Sequence, residues 1–263
     1  MLYKELYMHK NGNDFYVATG LETFDKKVGG LKKGSLSLLG SRPSIGKTAF
    51  AVNIIGKSCL NEKFHILFIS LEMSKERIYQ RLYAVQNNVP YTHCVGKKPV
   101  EENNAFLVIH DEPHQSVKEI RMNTIQFLEE LRSKNMQLDL LIVDYLQLIQ
   151  PHDITVNRTA IFKQILLGLK ELAEEFNIAV LVLSQISRSR VCQEDIEGTP
   201  CVSDFKDIDK EIFESVDFVG ILHRSNPDNE NMELIIKKSP AGFVGNTPLL
   251  FNNSTLIFSA KSM

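Results

Sequence analysis

The sequence predicts an α/β fold: a mainly parallel central sheet flanked by helices, with antiparallel strands towards the C-terminus. Three observations carry this. Apolar, strand-like runs alternate with amphipathic helical ones, the rhythm of a parallel sheet covered on both faces. Between one such run, Ser35–Leu39, and a helical one, Ala49–Ile55, stands Gly40-Ser41-Arg42-Pro43-Ser44-Ile45-Gly46-Lys47-Thr48, the composition of a phosphate-binding loop between strand and helix. After Glu233 the pattern changes to short apolar runs, as in antiparallel strands added to a sheet edge.

In chain order, strands are expected at Leu36–Leu39, Phe64–Ser70, Phe106–Ile109, Leu138–Val143, Ala179–Leu183 and Val216–Leu222, and then over Leu234–Ile236, Pro248–Phe251 and Leu256–Phe258. Each is a short apolar run bounded by polar or turn residues. A helix over Val117–Ser133 is signalled by Ser116 and Glu119, the two ends of a capping box. Another runs from about Thr159 to Phe176, with Ile165, Leu169, Leu172 and Ala173 on one face. At the N-terminus, Leu2–Lys10 reads as a short helical piece, set apart by the breaker cluster Asn11-Gly12-Asn13-Asp14.

Composition narrows the class. A chain of 263 residues buries a full core without metals or disulfides. The formal charge of −2 removes any bulk electrostatic case for nucleic-acid binding, so such a site has to be a local patch. Cys59, Cys94, Cys192 and Cys201 have no Cys-x-x-Cys spacing, and a reduced, cytoplasmic setting is the simplest account. No apolar run approaches membrane-spanning length, and residues 1–10 lack the pattern of a signal peptide, so no membrane association is expected.

The chemistry of the loop follows from its residue types. Small, permissive residues let backbone N–H groups wrap a phosphate chain, and Gly46 stands where the approach is closest. Ser41 occupies the position where the general pattern has Gly, with Gly40 one step earlier. Lys47 is expected to reach the terminal phosphates and Thr48 to coordinate a magnesium ion. Asp144 ends the run Leu140-Leu141-Ile142-Val143, where a carboxylate would hold the magnesium through a water, although a strand-final Asp also serves as a plain turn residue. Glu72 follows Phe64–Ser70 and is the candidate base for the attacking water; a solvated Glu ahead of a helix from about Ser74 is the bland alternative. Gln185, after Leu183-Ser184, would sense the terminal phosphate. The His110-Asp111-Glu112-Pro113-His114 cluster lacks a distant third ligand and is not read as a metal site.

Four segments together, Arg42–Thr48, Ser70-Leu71-Glu72-Met73-Ser74, Val143–Ile149 and Leu183–Arg188, resemble the motor domain of DnaB-type replicative helicases. They stand in the family's order and spacing, and the likeness extends from about Thr19 to Phe258. The resemblance implies a RecA-like P-loop NTPase that uses ATP and Mg2+ and forms six-membered rings around single-stranded DNA. It assigns Ser41, Arg42, Pro43, Ser44, Ile45, Gly46, Lys47, Thr48 and Asp144 to nucleotide and magnesium, Glu72 to water activation and Gln185 to phosphate sensing. Residues 19–263 then form the ATPase domain, and residues 1–18 an arm or the remnant of a linker helix. Contacts with a primase or loader are not expected without the family's N-terminal domain.

Two departures from the family pattern bear on activity. The late-strand basic pair that reaches into a neighbour's nucleotide site becomes Lys238 and Pro240, so the arginine-finger position holds a proline. In the segment expected to line the channel, Lys206 replaces Arg, Asp207 replaces Glu, and Asp209 stands near an expected glycine. Lys206, Asp207, Lys210 and Arg188, with Arg190, are the candidate DNA contacts. An ATP-binding regulatory or assembly protein with weak hydrolysis is therefore the alternative to a working motor.

Overall fold

The computed structural model describes residues 15–61, 64–97, 107–151, 157–187, 199–205, 208, 210–226 and 229–261, without the side chains of 58–61 and 210. The strands are β1 (Tyr16–Val17), β2 (Leu31–Lys32), β3 (Leu36–Ser41), β4 (Ile66–Ser70), β5 (Leu107–His110), β6 (Leu140–Asp144), β7 (Ala179–Gln185), β8 (Phe218–His223), β9 (Asn231–Lys238), β10 (Gly245–Asn252) and β11 (Ile257–Ala260). The α-helices are α1 (Glu22–Val28), α2 (Lys47–Asn61), α3 (Lys75–Asn87), α4 (Val117–Ser133), α5 (Arg158–Phe176) and α6 (Lys210–Ser215).

Nine strands form one sheet in the order β11-β10-β9-β8-β3-β7-β6-β4-β5. From β8 to β5 all neighbours are parallel, and from β8 to β11 all are antiparallel. The expected fold class is the one observed. β1 and β2 make a separate antiparallel pair, so Tyr16 and Val17 already belong to the folded body. Leu2–Lys10 lies outside the described residues.

Alternation along the parallel strands divides the core into two layers. On one face Leu140, Ile142, Leu181 and Leu183 pack with Phe50, Ile54 and Ile55 of α2 and Ile78 and Leu82 of α3. On the other, Leu141, Val143, Val180 and Val182 pack with Ile120, Phe127 and Leu131 of α4 and Ile165, Leu169 and Leu172 of α5. Both faces being dry, the strands read as continuous apolar runs.

Local signals set the helix starts. The box at α4 forms: Ser116 Oγ accepts from the Glu119 N–H, and Glu119 Oε2 accepts from the Ser116 N–H at 2.7 Å. At α5, Asn157 Oδ1 accepts from the Ala160 N–H at 2.8 Å. α3 is capped from a distance instead. Its Lys75 N–H donates to Asp111 Oδ2 at 2.9 Å, while Ser74 makes no side-chain cap. The His110–His114 cluster is thus a structural corner. His110 pairs with Glu112, and His114 Nδ1 lies 3.2 Å from Gln150 Nε2. Among the described residues no group of His, Cys, Asp or Glu is arranged to hold a metal ion.

One expectation shifts: the final strand begins at Ile257, because Leu256 sits at φ 59° in the preceding turn. Cys94 is a free buried thiol. No helix among the described residues is long and apolar enough to cross a membrane.

Candidate nucleotide site

The parallel register brings the candidate residues to one end of the sheet. Ser41 pairs with Gln185 on one side and Leu222 on the other, and Ser70 pairs with Asp144. In an open α/β sheet this carboxyl end is where ligands bind.

The loop leaves β3 at Ser41 and enters α2 at Lys47. Gly46 holds φ 114°, a conformation that other residues rarely adopt, and Ser44 also takes a positive φ of 63°. Positive φ values within a loop are the kind of backbone from which anion-binding concavities are built. Gly40 is needed for space. A Cβ there would collide with the ring of Phe205, which is buried over the start of the loop.

Thr48 and Asp144 meet directly: the hydroxyl donates to Asp144 Oδ2 at 2.7 Å. Asp144 is 1% exposed, and its Oδ1 has no hydrogen-bond partner. An orphaned carboxylate oxygen beside a hydroxyl is a hard-oxygen donor set that fits magnesium, which takes few protein ligands and completes its shell with water and phosphate. Burial raises the Asp144 carboxyl to about 6, with Glu72 adding to the rise and Thr48, Lys47 and Arg81 opposing it. Burial likewise lowers Lys47, while Asp144 and Glu72 pull it back up. The Lys47 ammonium lies 5.6 Å from the centre of the Tyr145 ring.

The Asp144 shift has a sign with consequences. A folded value above the unfolded one means that the ionised form is the destabilised one, so its cost is absent below pH 3.8 and complete above about pH 6. Asp144→Asn is therefore expected to stabilise the nucleotide-free protein at pH 7.5 by about 1–3 kcal/mol, and to weaken magnesium-dependent ATP binding. Urea unfolding at pH 7.5 and pH 4 checks it: a gain of the same size at both pH values would refute the ionisation account.

Glu72 is exposed, on the bend between β4 and α3. Ser70 makes that bend, its hydroxyl donating to the Met73 carbonyl at 2.6 Å and accepting from the Met73 N–H at 3.3 Å. The Leu71 N–H donates to the Asp144 carbonyl at 2.7 Å, tying the bend that carries Glu72 to the end of β6, and the Glu72 charge acts on both Asp144 and Lys47. Gln185 ends β7 with its side chain exposed. Its backbone is held by Gln147, a contact that no residue pattern announced.

Other candidates lie elsewhere. The Lys238 ammonium donates to the carbonyls of Phe213 and Glu214 at the end of α6, so within one chain it does not join the loop. Pro240 is exposed in the turn closed by the Gly242 N–H on the Ser239 carbonyl at 3.0 Å. Arg188, Arg190, Lys206, Asp207 and Asp209 lie outside the described residues, and Lys210 is described only as the first residue of α6.

Comparison with known proteins agrees with this geometry. Residues 16–260 match the model of the DnaB-like helicase C-terminal domain. The chain is 31% identical over 266 residues to the replicative DNA helicase DnaB of Geobacillus stearothermophilus, covering 94% of this chain and 57% of that protein. A solved DnaB-like replicative helicase, studied with its interactions with primase, superposes with a TM-score of 0.82 at 26% identity over 99% of this chain and 67% of that one. The ATPase domain of G40P superposes at 0.81, with 26% identity over 99% and 96%. The chain thus spans little more than half the length of the curated relative, and with the family model matched over residues 16–260, which hold the loop, both acids and all eleven described strands, it belongs to the DnaB-like helicase C-terminal domain family.

Proposed function

We propose that this chain is the ATP-hydrolysing motor of a replicative-type DNA helicase, working at subunit interfaces of a homo-oligomeric, hexameric ring to translocate on single-stranded DNA in the cytoplasm. The convergence of Lys47, Thr48, Asp144 and Glu72 at the end of one sheet carries the reading.

In this reading Ser41–Thr48 cradle the phosphates through backbone N–H groups and the N-terminus of α2, and Lys47 neutralises the terminal phosphates. Thr48 and Asp144 would hold magnesium, which supplies charge neutralisation when bound. Glu72 takes the proton of the attacking water, and the Gln185 carboxamide reports the presence of the terminal phosphate. ATP is the substrate, and residues 19–263 form the catalytic unit, with the end of the 1–18 arm docked as β1.

Lys206, Asp207, Arg188 and Lys210 are assigned to the DNA path. Lys206→Glu is expected to weaken single-stranded DNA binding and to reduce the salt slope by about one; an unchanged slope removes Lys206 from the phosphate contacts. Pro240 favours a second reading, an ATP-binding assembly or regulatory protein with weak hydrolysis, since a trans arginine finger contributes about 10³–10⁵ in rate and proline offers no charge. Lys238 would act across the interface only after leaving the α6 carbonyls.

ATP turnover with and without single-stranded DNA, with Lys47→Ala as the blank and assembly state measured alongside, separates the two. DNA-stimulated turnover that Lys47→Ala abolishes supports the motor. Tight binding without turnover in an assembled sample supports the regulatory protein.

A further inference from the structure

We propose that Gln147 is the positioning residue for Gln185, its carboxamide standing in for the strand that β7 lacks at its catalytic end. This rests on the ATPase reading for its consequence, though not for its geometry.

β6 and β7 pair from Leu140↔Ala179 to Val143↔Val182. β7 continues to Gln185, whereas the chain of β6 turns away after Asp144 into the 3₁₀ turn Leu146–Leu148. On its other side β7 keeps its partner: Ser41 pairs with Gln185, and the Ile186 N–H donates to the Ser41 carbonyl at 2.9 Å. Towards β6 the last residues of β7 need another donor and acceptor, since orphaned backbone groups cost stability.

Gln147 supplies both. Its Oε1 accepts from the Gln185 N–H at 3.1 Å, and its Nε2 donates to the Gln185 carbonyl at 3.1 Å and to the buried Ser184 Oγ at 3.0 Å. A primary carboxamide carries the same donor and acceptor as a peptide unit, so the ladder is extended by one residue without a strand. The grip is on backbone. The Gln185 side chain stays exposed and free to meet a ligand.

Gln147 is also fixed to the other half of the site. It lies three residues after Asp144, in a turn closed by the Leu148 N–H on the Tyr145 carbonyl at 3.0 Å and anchored by buried Leu146. The magnesium-side acid and the phosphate-facing amide are thereby held in one register. A loss of that register misplaces Gln185 while leaving the loop, Lys47 and Thr48 untouched.

Gln147→Met keeps length and packing and removes all three hydrogen bonds. Gln147→Glu keeps the acceptor for the Gln185 N–H, and the Ser184 hydroxyl is free to rotate and donate to it. With DNA present, Gln147→Met is expected to lower kcat by about 10- to 100-fold, with KM for ATP and affinity for a fluorescent ATP analogue within about twofold, and Gln147→Glu to recover part of the loss. A packing role predicts the reverse order, Met at least as active as Glu, and that result overturns the proposal. So does parallel loss of affinity and kcat, or an unchanged kcat in Gln147→Met. If the unmutated chain binds the analogue but shows no turnover, the ATPase reading fails and amide exchange decides for Gln147. Slowed exchange at Gln185 on adding magnesium and ATP, absent in Gln147→Met, retains the positioning role; equal exchange in both proteins rejects it.

Discussion

Glu72→Gln is expected to lower ATP turnover by about 10²–10⁴-fold, the usual contribution of a positioned general base, and to leave ATP affinity within a few-fold. The expectation comes from the bend after β4. Ser70 closes it through Met73, and the Leu71 N–H ties it to the Asp144 carbonyl, so the side chain at position 72 is placed by backbone that the substitution leaves alone. Gln matches Glu in size and accepts no proton at neutral pH. The exchange also removes a negative charge that helps to raise Asp144. Asp144 should therefore titrate lower in the variant, and magnesium-dependent ATP binding should persist to a lower pH than in the parent. Single-turnover hydrolysis and equilibrium binding across pH 5–8 read both effects. Turnover reduced by less than about threefold would place the base elsewhere, and lost binding would make Glu72 a structural residue.

Much of this site is legible in the chain because its residues are contiguous. Ser41–Thr48 is one loop, and Asp144, Glu72 and Gln185 each follow an apolar run, so a parallel sheet delivers all three to the same end by register alone. The family likeness rests on those same segments. What the chain does not announce is pairing between remote polar groups. The capping box of α4 is local and readable, whereas α3 is capped by Asp111, 36 residues after Lys75, within a cluster that invites a metal reading. Gln147 has no periodicity to mark it; its partners are the backbone of Gln185, 38 residues away, and the neighbouring Ser184 hydroxyl. Two-residue strands such as β1 and β2 are too short for a pattern. The departure at Lys238 and Pro240 is legible only against the family pattern, and the fold adds their local setting: Lys238 on the α6 carbonyls and Pro240 in an exposed turn.

The other large effect lies at the opposite end of the sheet. Lys33 and Asp139 form an ion pair at 2.7 Å with side chains 5% and 7% exposed, just before β3 and β6. The second carboxylate oxygen of Asp139 accepts from the His65 N–H at 2.8 Å and faces His65 Nδ1 at 3.4 Å. Burial alone would push this carboxyl up, yet the hydrogen bonds from His65 and Lys33 outweigh it and hold the carboxyl below its usual value. Its stabilisation is therefore complete above the unfolded value of 3.8 and is lost as the pH falls through the lower folded value. Lys33→Met leaves Asp139 buried without its cation and is expected to destabilise the fold by about 3–5 kcal/mol at neutral pH. Without Lys33 the carboxyl loses the hydrogen bond and the charge of the ammonium that help to hold it down and so rises, and the penalty shrinks on acidification as Asp139 takes up a proton. Lys33→Met with Asp139→Leu removes both charges and should recover a large part of the loss, because two apolar side chains of similar volume replace the pair. Urea unfolding at pH 7 and pH 4.5 distinguishes this from a packing defect. A penalty for Lys33→Met that is independent of pH, or a double variant no more stable than the single one, would show that the ammonium is not what Asp139 requires.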